Sequence, residues 1–233
     1  MRIALFGYGK MGKMIDQISQ KRGHNIVARI DVGSTEIDYN NMDVAIDFSV
    51  PESAVNNIKG CIKAGVPVIS GTTGWLTQYE EVVDLCKKQQ GAFLYASNFS
   101  LGVNIFFELN KVLAGMMANL KTYEVSIDET HHIHKIDAPS GTAITLAEGI
   151  ISKTDFTKWA LEHSGKNILP IHSHREGEIP GTHEVSYSGI EDQISIKHIA
   201  HGREGFALGA VVAAEWIQGK KGVFSMKDVL NLG

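Results

Sequence analysis

A glycine-rich segment early in the chain restricts its fold more than any other feature. The segment reads Gly7, Tyr8, Gly9, Lys10, Met11 and Gly12. It follows a short apolar run at 2–6 and opens a stretch, 10–21, whose apolar residues recur at helical spacing. In such a strand–loop–helix unit the first glycine permits a tight turn, the second lets the backbone approach a pyrophosphate, and the third allows close packing of the helix. The segment therefore predicts a dinucleotide phosphate site at a helix N-terminus.

The pattern around this loop predicts a parallel sheet. Predicted strands lie at 2–6, 26–30, 44–48, 66–70 and 92–96, and predicted helices lie at 10–21, 52–64 and 76–90. Such alternation is typical of an α/β fold with a doubly wound, Rossmann-like parallel sheet. Open sheets of this kind bind ligands at the carboxyl ends of their strands, so the polar residues after each strand are candidates for binding.

Asp31 ends the second predicted strand, 19 positions after Gly12. An acidic side chain there accepts hydrogen bonds from an adenosine ribose. It also favours NADH over NADPH, because a 2′-phosphate meets a like charge and 32–34 contain no arginine. Lys10 can offset that charge, so we expect use of both cofactors with a preference for NADH. In the alternative, the glycines only close a turn and Asp31 is a solvated strand end.

Two further loops follow predicted strands at the same edge. The candidates in them are Gly71, Thr72, Thr73, Ala96, Ser97, Asn98 and Phe99. Small residues, hydroxyls and an amide at this edge are suited to lining the nicotinamide side of a dinucleotide. Ordinary polar turns are the alternative for each loop.

The later part of the chain follows a different pattern. Helices are predicted at 101–120 and 203–218, and strands that alternate on one face at 122–130, 182–188 and 193–200. The last two strands are separated by a turn-like 189–192 and form a hairpin. The sequence thus predicts a dinucleotide-binding domain over 1–102 and 207–233, and an α+β domain over 103–206 with an open mixed or antiparallel sheet.

The stretch from Glu129 to Ala143 combines a proton-transfer group with groups that bind anions. His131 exchanges protons near neutral pH, and Lys135 stabilises or protonates developing negative charge. Ser140, Gly141 and Thr142 open a predicted helix and offer N–H groups and hydroxyls to a carboxylate. In the alternative, Ser140 is only a helix cap and the histidines lie on the surface.

A metal site is the rival interpretation of this stretch, since it contains His131, His132 and His134. Adjacent histidines of a strand point to opposite faces, and no H-E-x-x-H or cysteine pattern completes a ligand set. We therefore predict no metal. Nine of the ten histidines lie between His131 and His201. Among the later basic residues Arg203 is the candidate for substrate binding, because it lies where the chain returns to the first domain.

Composition argues against several other classes of function. The 22 basic and 26 acidic residues give a net charge of −4 with no basic tail, which argues against a nucleic-acid partner. The apolar run at 3–6 is too short for a signal peptide or a membrane span. Cys61 and Cys86 have no C-x-x-C partner, as expected of reduced thiols. We expect a cytoplasmic protein with no membrane partner.

Together these residues resemble one family, the 4-hydroxy-tetrahydrodipicolinate (dihydrodipicolinate) reductases. The resemblance runs nearly end to end. Its motifs are the glycine loop, GTTG at 71–74, ASNFSLGVN at 96–104, HHIHKIDAPSGTA at 131–143, REGEIPGTHEV at 175–185 and the closing GVFSMKDVLNL. The block at 131–143 is highly specific, whereas a glycine loop occurs in many folds.

The resemblance implies a homotetrameric NAD(P)H-dependent reductase that converts a cyclic unsaturated dicarboxylate to tetrahydrodipicolinate in lysine and diaminopimelate biosynthesis. It assigns His131 as proton donor or acceptor and Lys135 as proton donor. His132 and 140–142 match substrate-binding positions, the latter around a carboxylate. The glycine loop, Asp31, 71–73 and 96–99 match cofactor positions, which leaves substrate binding and oligomerisation to the second domain.

Two departures from the family pattern lie beside the predicted ribose site. The glycine loop is one residue shorter than the usual G-x-x-G-x-M-G, and 32–43 is compact; both bear on the choice between NADH and NADPH. Two rival functions remain. Another two-domain NAD(P)-dependent amino-acid dehydrogenase shares the glycine loop but not the block at 131–143. A non-catalytic nucleotide-sensing module needs neither His131 nor Lys135.

Overall fold

A parallel sheet of six strands organises the first of two units that the chain forms in a computed structural model. Unit 1 comprises Met1–Leu101 and Glu204–Gly233, and unit 2 comprises Gly102–Arg203. The structure describes residues 1–31, 37–163 and 165–232. The stretch 32–34, whose lack of an arginine bears on cofactor preference, lies outside the described residues. None of the described helices combines the length and the apolar character that a bilayer crossing requires.

The strands of unit 1 pair in parallel throughout the described sheet. They are β1 (Arg2–Phe6), β2 (Asn25–Ile30), β3 (Val44–Asp47), β4 (Val68–Ser70), β5 (Ala92–Tyr95) and β11 (Gly222–Phe224), in the spatial order β11-β5-β4-β3-β1-β2. The helices are α1 (Lys10–Lys21), α2 (Pro51–Lys63), α3 (Tyr79–Lys88), α6 (Glu204–Trp216) and α7 (Met226–Leu230). The prediction of a doubly wound, Rossmann-like sheet is confirmed.

Both faces of this sheet are buried under helices. Successive residues of a strand point to opposite faces, and the two apolar clusters divide accordingly. Ile3 and Leu5 pack with residues of α1 and α6 on one face, while Ala4 and Phe6 pack with residues of α2 and α3 on the other. This double burial explains why the strands read as continuous apolar runs in the sequence.

The register of the strands aligns their carboxyl ends. Phe6 pairs with both Ile30 and Asp47, Asp47 pairs with Ser70, and Ser70 pairs with Tyr95. The loops that follow these strands therefore share one edge of the sheet. β2 and β3 lie on opposite sides of β1, so the glycine loop after β1 stands at the point where the strand order reverses, the usual ligand site of such sheets.

Some predicted boundaries in unit 1 are wrong. The predicted helix at 76–90 is a 3₁₀ turn, Leu76–Gln78, followed by α3. The fourth strand begins at Val68 rather than at 66, because the Val66 N–H donates to the Cys61 carbonyl at the end of α2 (2.9 Å) and Pro67 has no N–H. β11 and α7 were not predicted.

The sheet of unit 2 is mixed. Its strands are β6 (Glu124–His131), β7 (Lys158–Leu161), β8 (Ile168–Arg175), β9 (Gly181–Ser188) and β10 (Gln193–Ala200), in the order β10-β9-β6-β8-β7. β9 pairs antiparallel with β10 and β6, which confirms the predicted hairpin, whereas β8 pairs in parallel with β6 and β7. β7 and β8 were not predicted from the sequence.

Two helices cover one face of this sheet. They are α4 (Leu101–Met117) and α5 (Gly141–Ile151), and their apolar residues form one core with alternate strand residues. On β6 the residues Val125, Ile127, Glu129 and His131 are buried, while the residues between them are half-buried. The alternation brings two titratable side chains onto the helix-covered face of the sheet.

Candidate functional site

The glycines of the loop after β1 have three different structural roles. Gly7 has a positive φ of 89°, and a Cβ there would overlap the carbonyl of Phe48. A Cβ on Gly12 would overlap the Gly7 carbonyl, so the helix and the loop pack as closely as glycine permits. A Cβ on Gly9 would meet none of the described residues within 4 Å. The described part of the chain therefore leaves open space at Gly9, where a dinucleotide-binding loop needs room for a pyrophosphate.

The N-terminus of α1 fits a phosphate for a second reason. Gly9 is its N-cap, and the first turn has no side-chain cap hydrogen bond among the residues that the structure describes. Lys10 is exposed and Met11 is half-buried in that turn. The N–H groups at a helix start attract anions when no side chain satisfies them.

The buried carboxylate of Asp16 is hydrogen-bonded to the glycine loop through Tyr8. Asp16 accepts hydrogen bonds from the hydroxyl of Tyr8 (2.6 Å) and from Nε of Arg29 (2.7 Å), which lowers the pKa of the carboxyl although burial alone would raise it. Arg29 also lies over the ring of Tyr8. Asp31, at the end of β2, is exposed. The basic residue nearest to Asp31 along β2 is thus held by Asp16.

The loop after β4 is held by Asp47, which is fully buried. This carboxylate accepts hydrogen bonds from the hydroxyls of Ser49, Ser70 and Thr72, at 2.7–2.8 Å. Burial raises its pKa, and these donors act in the opposite direction. Because the Thr72 hydroxyl also accepts from the Ser49 N–H (2.9 Å), Thr72 is committed to the loop itself. Gly71 and the exposed Thr73 stand at the edge of the sheet beside it.

The loop after β5 also contains both buried residues and residues that are accessible at the edge of the sheet. Phe99 is buried and packs on Phe48, with ring centroids 5.6 Å apart, so this position offers main-chain atoms rather than its side chain to a cofactor. The Asn98 side chain accepts from the Ser100 N–H (2.9 Å). Ala96 is half-buried and Ser97 is exposed.

In unit 2, three strands bring a cluster of polar side chains onto the helix-covered face. Glu129 pairs with Ser173 of β8 and with His183 of β9, and His131 pairs with Arg175 of β8. His131 is only 7% exposed. Its ring lies 5.0 Å from that of His183, centroid to centroid. The alternative interpretation, in which the histidines lie on the surface, therefore does not hold for His131.

Burial sets the protonation of His131. The pKa of its imidazole is lowered to about 4, chiefly by loss of hydration; His183, Lys135 and Arg175 act in the same direction, and Glu129 opposes them. The imidazole is therefore neutral near pH 7 and is available to accept a proton.

The loop after β6 carries Lys135. Its Nζ lies 2.7 and 2.8 Å from the two carboxylate oxygens of Asp137, a pairing that lowers the pKa of Asp137. Arg175 holds the same loop from β8, because its guanidinium donates to the carbonyls of Lys135 (3.3 Å) and Asp137 (2.7 Å). His132, which follows β6 directly, is half-buried, and its Nδ1 is buried without a hydrogen-bond partner among residues 1–31, 37–163 and 165–232.

Ser140 begins α5 as its N-cap. Its hydroxyl accepts from the Ala143 N–H (3.2 Å), and its own N–H donates to both carboxylate oxygens of Glu129, at 3.0 and 3.1 Å. Ser140 is buried, whereas Gly141 is exposed and Thr142 is half-buried. The accessible N–H groups of the predicted carboxylate-binding turn are thus those after Ser140.

Glu129 and His183 were not predicted as site residues from the sequence, although both belong to this cluster. With His131 they bring three ligand atoms within 4.8 Å of one another, the geometry of a possible metal site among the described residues. Glu129, however, already accepts from the Ser140 N–H and the Ser173 hydroxyl, and the Arg175 guanidinium lies 3.7 Å away. A neighbouring cation and occupied lone pairs favour a hydrogen-bonded network over a metal site.

Arg203 is exposed and ends unit 2.

The chain is similar in sequence to known proteins over nearly its whole length. Residues 1–99 match the family dihydrodipicolinate reductase, N-terminus, and residues 102–230 match the family dihydrodipicolinate reductase, C-terminus. A 4-hydroxy-tetrahydrodipicolinate reductase of Christiangramia forsetii is 54% identical over 99% of this chain and 98% of its own length. The enzyme of the same name from Methanosarcina barkeri is 37% identical over 97% of this chain and 83% of its own length.

A solved structure agrees with the fold. Dihydrodipicolinate reductase from Paenisporosarcina sp. TG-14, determined with dipicolinate bound, superposes with a TM-score of 0.80 at 21% identity and covers 97% of both chains. Sequence matches over both units and this shared fold lead to one conclusion. The chain belongs to the 4-hydroxy-tetrahydrodipicolinate (dihydrodipicolinate) reductase family.

Proposed function

We propose that this chain uses NADH or NADPH to reduce 4-hydroxy-tetrahydrodipicolinate to tetrahydrodipicolinate in diaminopimelate and lysine biosynthesis. The observation that carries the proposal is the cluster in unit 2. A buried neutral imidazole, a lysine and the N-terminus of α5 gather around Glu129 and Arg175. The Ser140 N–H donates to Glu129, the Arg175 guanidinium donates to the Lys135 carbonyl, and Nδ1 of His131 lies 3.6 Å from Glu129. This is the set of groups that a reductase of a dianionic substrate needs for proton transfer and carboxylate binding.

Unit 1 is the proposed dinucleotide-binding domain. Its glycine loop, Asp31 and the edge residues of 71–73 and 96–99 are the proposed contacts. When bound, the reduced nicotinamide supplies the hydride. The chain's own contribution is to fix the pyrophosphate on the first turn of α1 and to orient the rest of the cofactor along the carboxyl edge of the sheet.

Unit 2 is the proposed substrate domain. The 4-hydroxyl of the substrate leaves as water, which gives the conjugated ring that is then reduced. Lys135 donates a proton to the ring carbon next to the one that receives the hydride, and its charge stabilises the electron pair that develops there. His131 accepts or returns the proton that restores this lysine. The N–H groups of Gly141 and Thr142 bind a substrate carboxylate, and His132 and Arg203 supply further positive or polar contacts to the dianion.

The proposed preference for NADH is supported by two features of unit 1. Asp31 places negative charge at the end of β2, which repels a 2′-phosphate. Arg29, the cation closest in sequence, is bound to Asp16 at 2.7 Å. A cation that is already paired neutralises a phosphate less effectively. NADPH is expected to bind more weakly but still to react.

We also propose a cytoplasmic homotetramer. Support comes from α4 and the turn after it, where an exposed apolar stripe consists of Ile105, Leu109, Val112, Met116 and Leu120. Contiguous exposed apolar side chains at helical spacing are typical of an interface. The substrate domain is thus also the proposed oligomerisation domain.

The first experiment is oxidation of NADH and NADPH by the purified protein, with substrate made in situ from pyruvate and aspartate semialdehyde by the preceding synthase. Oxidation that depends on the synthase, with a higher kcat/KM for NADH, supports both the reaction and the preference. Oxidation that is independent of the synthase indicates another dehydrogenase. Cofactor binding without oxidation indicates a nucleotide sensor.

A further inference from the structure

Glu129 is a buried carboxylate for which the proposed reaction so far gives no role. It lies on β6, two residues before His131 and on the same face, and its exposure is 0%. Burial would raise its pKa, yet contacts from His183, Ser140 and Ser173 hold that pKa far below its ordinary value. Glu129 is therefore a fixed negative charge in the interior of unit 2.

The two oxygens of Glu129 face different groups. Oε1 accepts from the Ser173 hydroxyl (2.7 Å), both oxygens accept from the Ser140 N–H, and Nη2 of Arg175 lies 3.7 Å from Oε1. Oε2 faces two imidazoles, with Nδ1 of His131 at 3.6 Å and Nε2 of His183 at 3.5 Å. One carboxylate thus joins the start of α5 to the proton-transfer histidine.

The orientation of the His131 ring follows from its surroundings. Nδ1 is buried and finds no hydrogen-bond partner within the described part of the chain, and it faces Oε2 of Glu129. A separation of 3.6 Å is too long for a hydrogen bond, but a negative charge at that distance still favours a proton on Nδ1 over a lone pair there. Nε2 lies on the other side of the ring, against the backbone of Gly181, where a Cβ would stand 3.1 Å away.

We propose that Glu129 is a positioning residue that holds neutral His131 as the Nδ1–H tautomer, with the lone pair on Nε2. The same carboxylate fixes Ser140, so that the proton acceptor and the carboxylate-binding turn keep one relative position. The inference rests on the proposed function for its catalytic meaning. Its structural part, the tautomer, concerns the protein without substrate or cofactor.

The tautomer is measured by ¹⁵N NMR of the full chain labelled at histidine, at neutral pH and without ligands. Comparison with His131→Gln assigns the His131 signals. We expect the pyrrole-type shift, which marks a protonated nitrogen, on Nδ1 of His131. A pyrrole-type shift on Nε2 overturns the proposal, and this reading of the wild-type protein needs no variant to fold. Spectra with and without EDTA must agree, since a bound metal ion would occupy a ring nitrogen and would likewise overturn it.

Variants then test whether Glu129 is the cause. Glu129→Gln removes the charge and should move the proton of His131 to Nε2 or to a mixture, whereas Glu129→Asp keeps the charge and should retain Nδ1–H. Asp128→Asn is the matched control, because Asp128 is the neighbouring residue on the opposite face of β6 and its side chain is 43% exposed. An unchanged tautomer in Glu129→Gln overturns the assignment to Glu129.

Turnover separates positioning from a general loss of structure. For Glu129→Gln we expect kcat to fall by roughly 10- to 100-fold, the usual effect of removing a carboxylate that orients a functional imidazole, with KM for NADH within about twofold of wild type. Glu129→Asp should recover part of the loss, and Asp128→Asn should lose none. Equal losses in Gln and Asp variants would overturn the positioning role. A wild-type protein with the expected tautomer but no turnover would contradict only the proposed function.

Discussion

Two histidines of one motif, His131 at the end of β6 and His134 in the loop after it, have different surroundings. His131 is 7% exposed and has a pKa lowered to about 4, chiefly by burial. The side chain of His134 is 68% exposed and lies 3.1 Å from the carboxylate of Glu178. Both occur in the same histidine-rich motif, so residue type alone does not distinguish them.

Replacement of His131 or Lys135 by alanine is predicted to reduce kcat by about 10²-fold or more, because each removes a positioned proton-transfer group. NADH binding should stay within a few-fold of wild type, since neither residue belongs to unit 1. His134→Ala is the control and should retain activity. Steady-state kinetics and NADH titration by fluorescence measure both quantities. Activity within a few-fold of wild type would remove the substituted residue from the mechanism.

The same burial predicts how stability depends on pH. The pKa of His131 is lower in the folded protein than in the unfolded chain, so protonation favours unfolding. Its contribution to stability is complete above pH 6.5 and is lost as the pH falls towards about 4. Burial lowers the pKa of His198 as well, and His183 and His201 add to this shift. His198 therefore adds a loss of the same sign.

We predict that His131→Gln makes the protein less sensitive to acid. Between pH 7 and pH 5 the wild-type free energy of unfolding should fall by about 2 kcal/mol through His131 alone. The variant should lack that part and keep the part due to His198. Urea unfolding at the two pH values, with His134→Gln as control, measures the difference. Equal pH dependence in wild type and His131→Gln would show that His131 titrates normally.

At the scale of elements, the glycines of the loop between β1 and α1 differ in whether the fold or a bound cofactor requires them. Gly7 and Gly12 are required by the fold, since a side chain at either would overlap backbone atoms, whereas a methyl group at Gly9 would meet no described residue. The fold therefore tolerates a methyl group at position 9, and a bound pyrophosphate does not.

We predict that Gly9→Ala keeps the melting temperature within about 2 °C of wild type but weakens NADH binding by about tenfold or more, the effect of roughly 1.4 kcal/mol. Gly115→Ala in α4 is the control, because that position also meets nothing within 4 Å, and it should leave binding unchanged. Calorimetric titration with NADH and thermal unfolding by circular dichroism give the two readouts. Unchanged affinity in Gly9→Ala would exclude this loop from the cofactor site.

Strands with a simple pattern could be predicted from the sequence, whereas β8 could not. β1, α1 and β10 have the predicted bounds, since their apolar periodicity is local. β8 contains Pro170, and proline is normally absent from interior strands because it has no N–H to donate. Pro170 is tolerated because β8 pairs with β6 only over Ile171–Arg175, and β7 lies beside the remaining part. That arrangement depends on partners distant in sequence.

In the candidate site, too, residues of a local motif could be predicted from the sequence, whereas contacts made by strand pairing could not. His131, Lys135 and Ser140 lie in one specific motif, and Ser140 caps α5 as expected. Glu129 and His183 meet through the antiparallel register of β6 and β9, which no local pattern specifies. The alternation of apolar and polar residues along β6 and along β9 could be seen in the sequence, but the pairing of β6 with β9 could not.

At the scale of the whole molecule, the exposed face of α4 is the feature that the fold of a single chain leaves unexplained. α4 buries Val103, Phe106 and Asn110 on one side, while the stripe of Ile105, Leu109, Val112, Met116 and Leu120 is 42–70% exposed. Burying an apolar side chain contributes about 1.5–3 kcal/mol. A second copy of unit 2 that covers the stripe would supply that stabilisation.

We predict that the wild-type protein is a tetramer by size-exclusion chromatography with light scattering, and that Leu109→Glu with Met116→Glu shifts it to smaller species. Two buried carboxylates opposed across a symmetric interface cost several kcal/mol, because each is repeated in the partner. Leu76→Glu is the control, since Leu76 is an exposed leucine of unit 1 at 48%, and it should leave the mass unchanged. Retained NADH binding in the double variant would show that unit 1 still folds. A wild-type monomer, or a double variant that stays tetrameric, would exclude the α4 stripe as the interface.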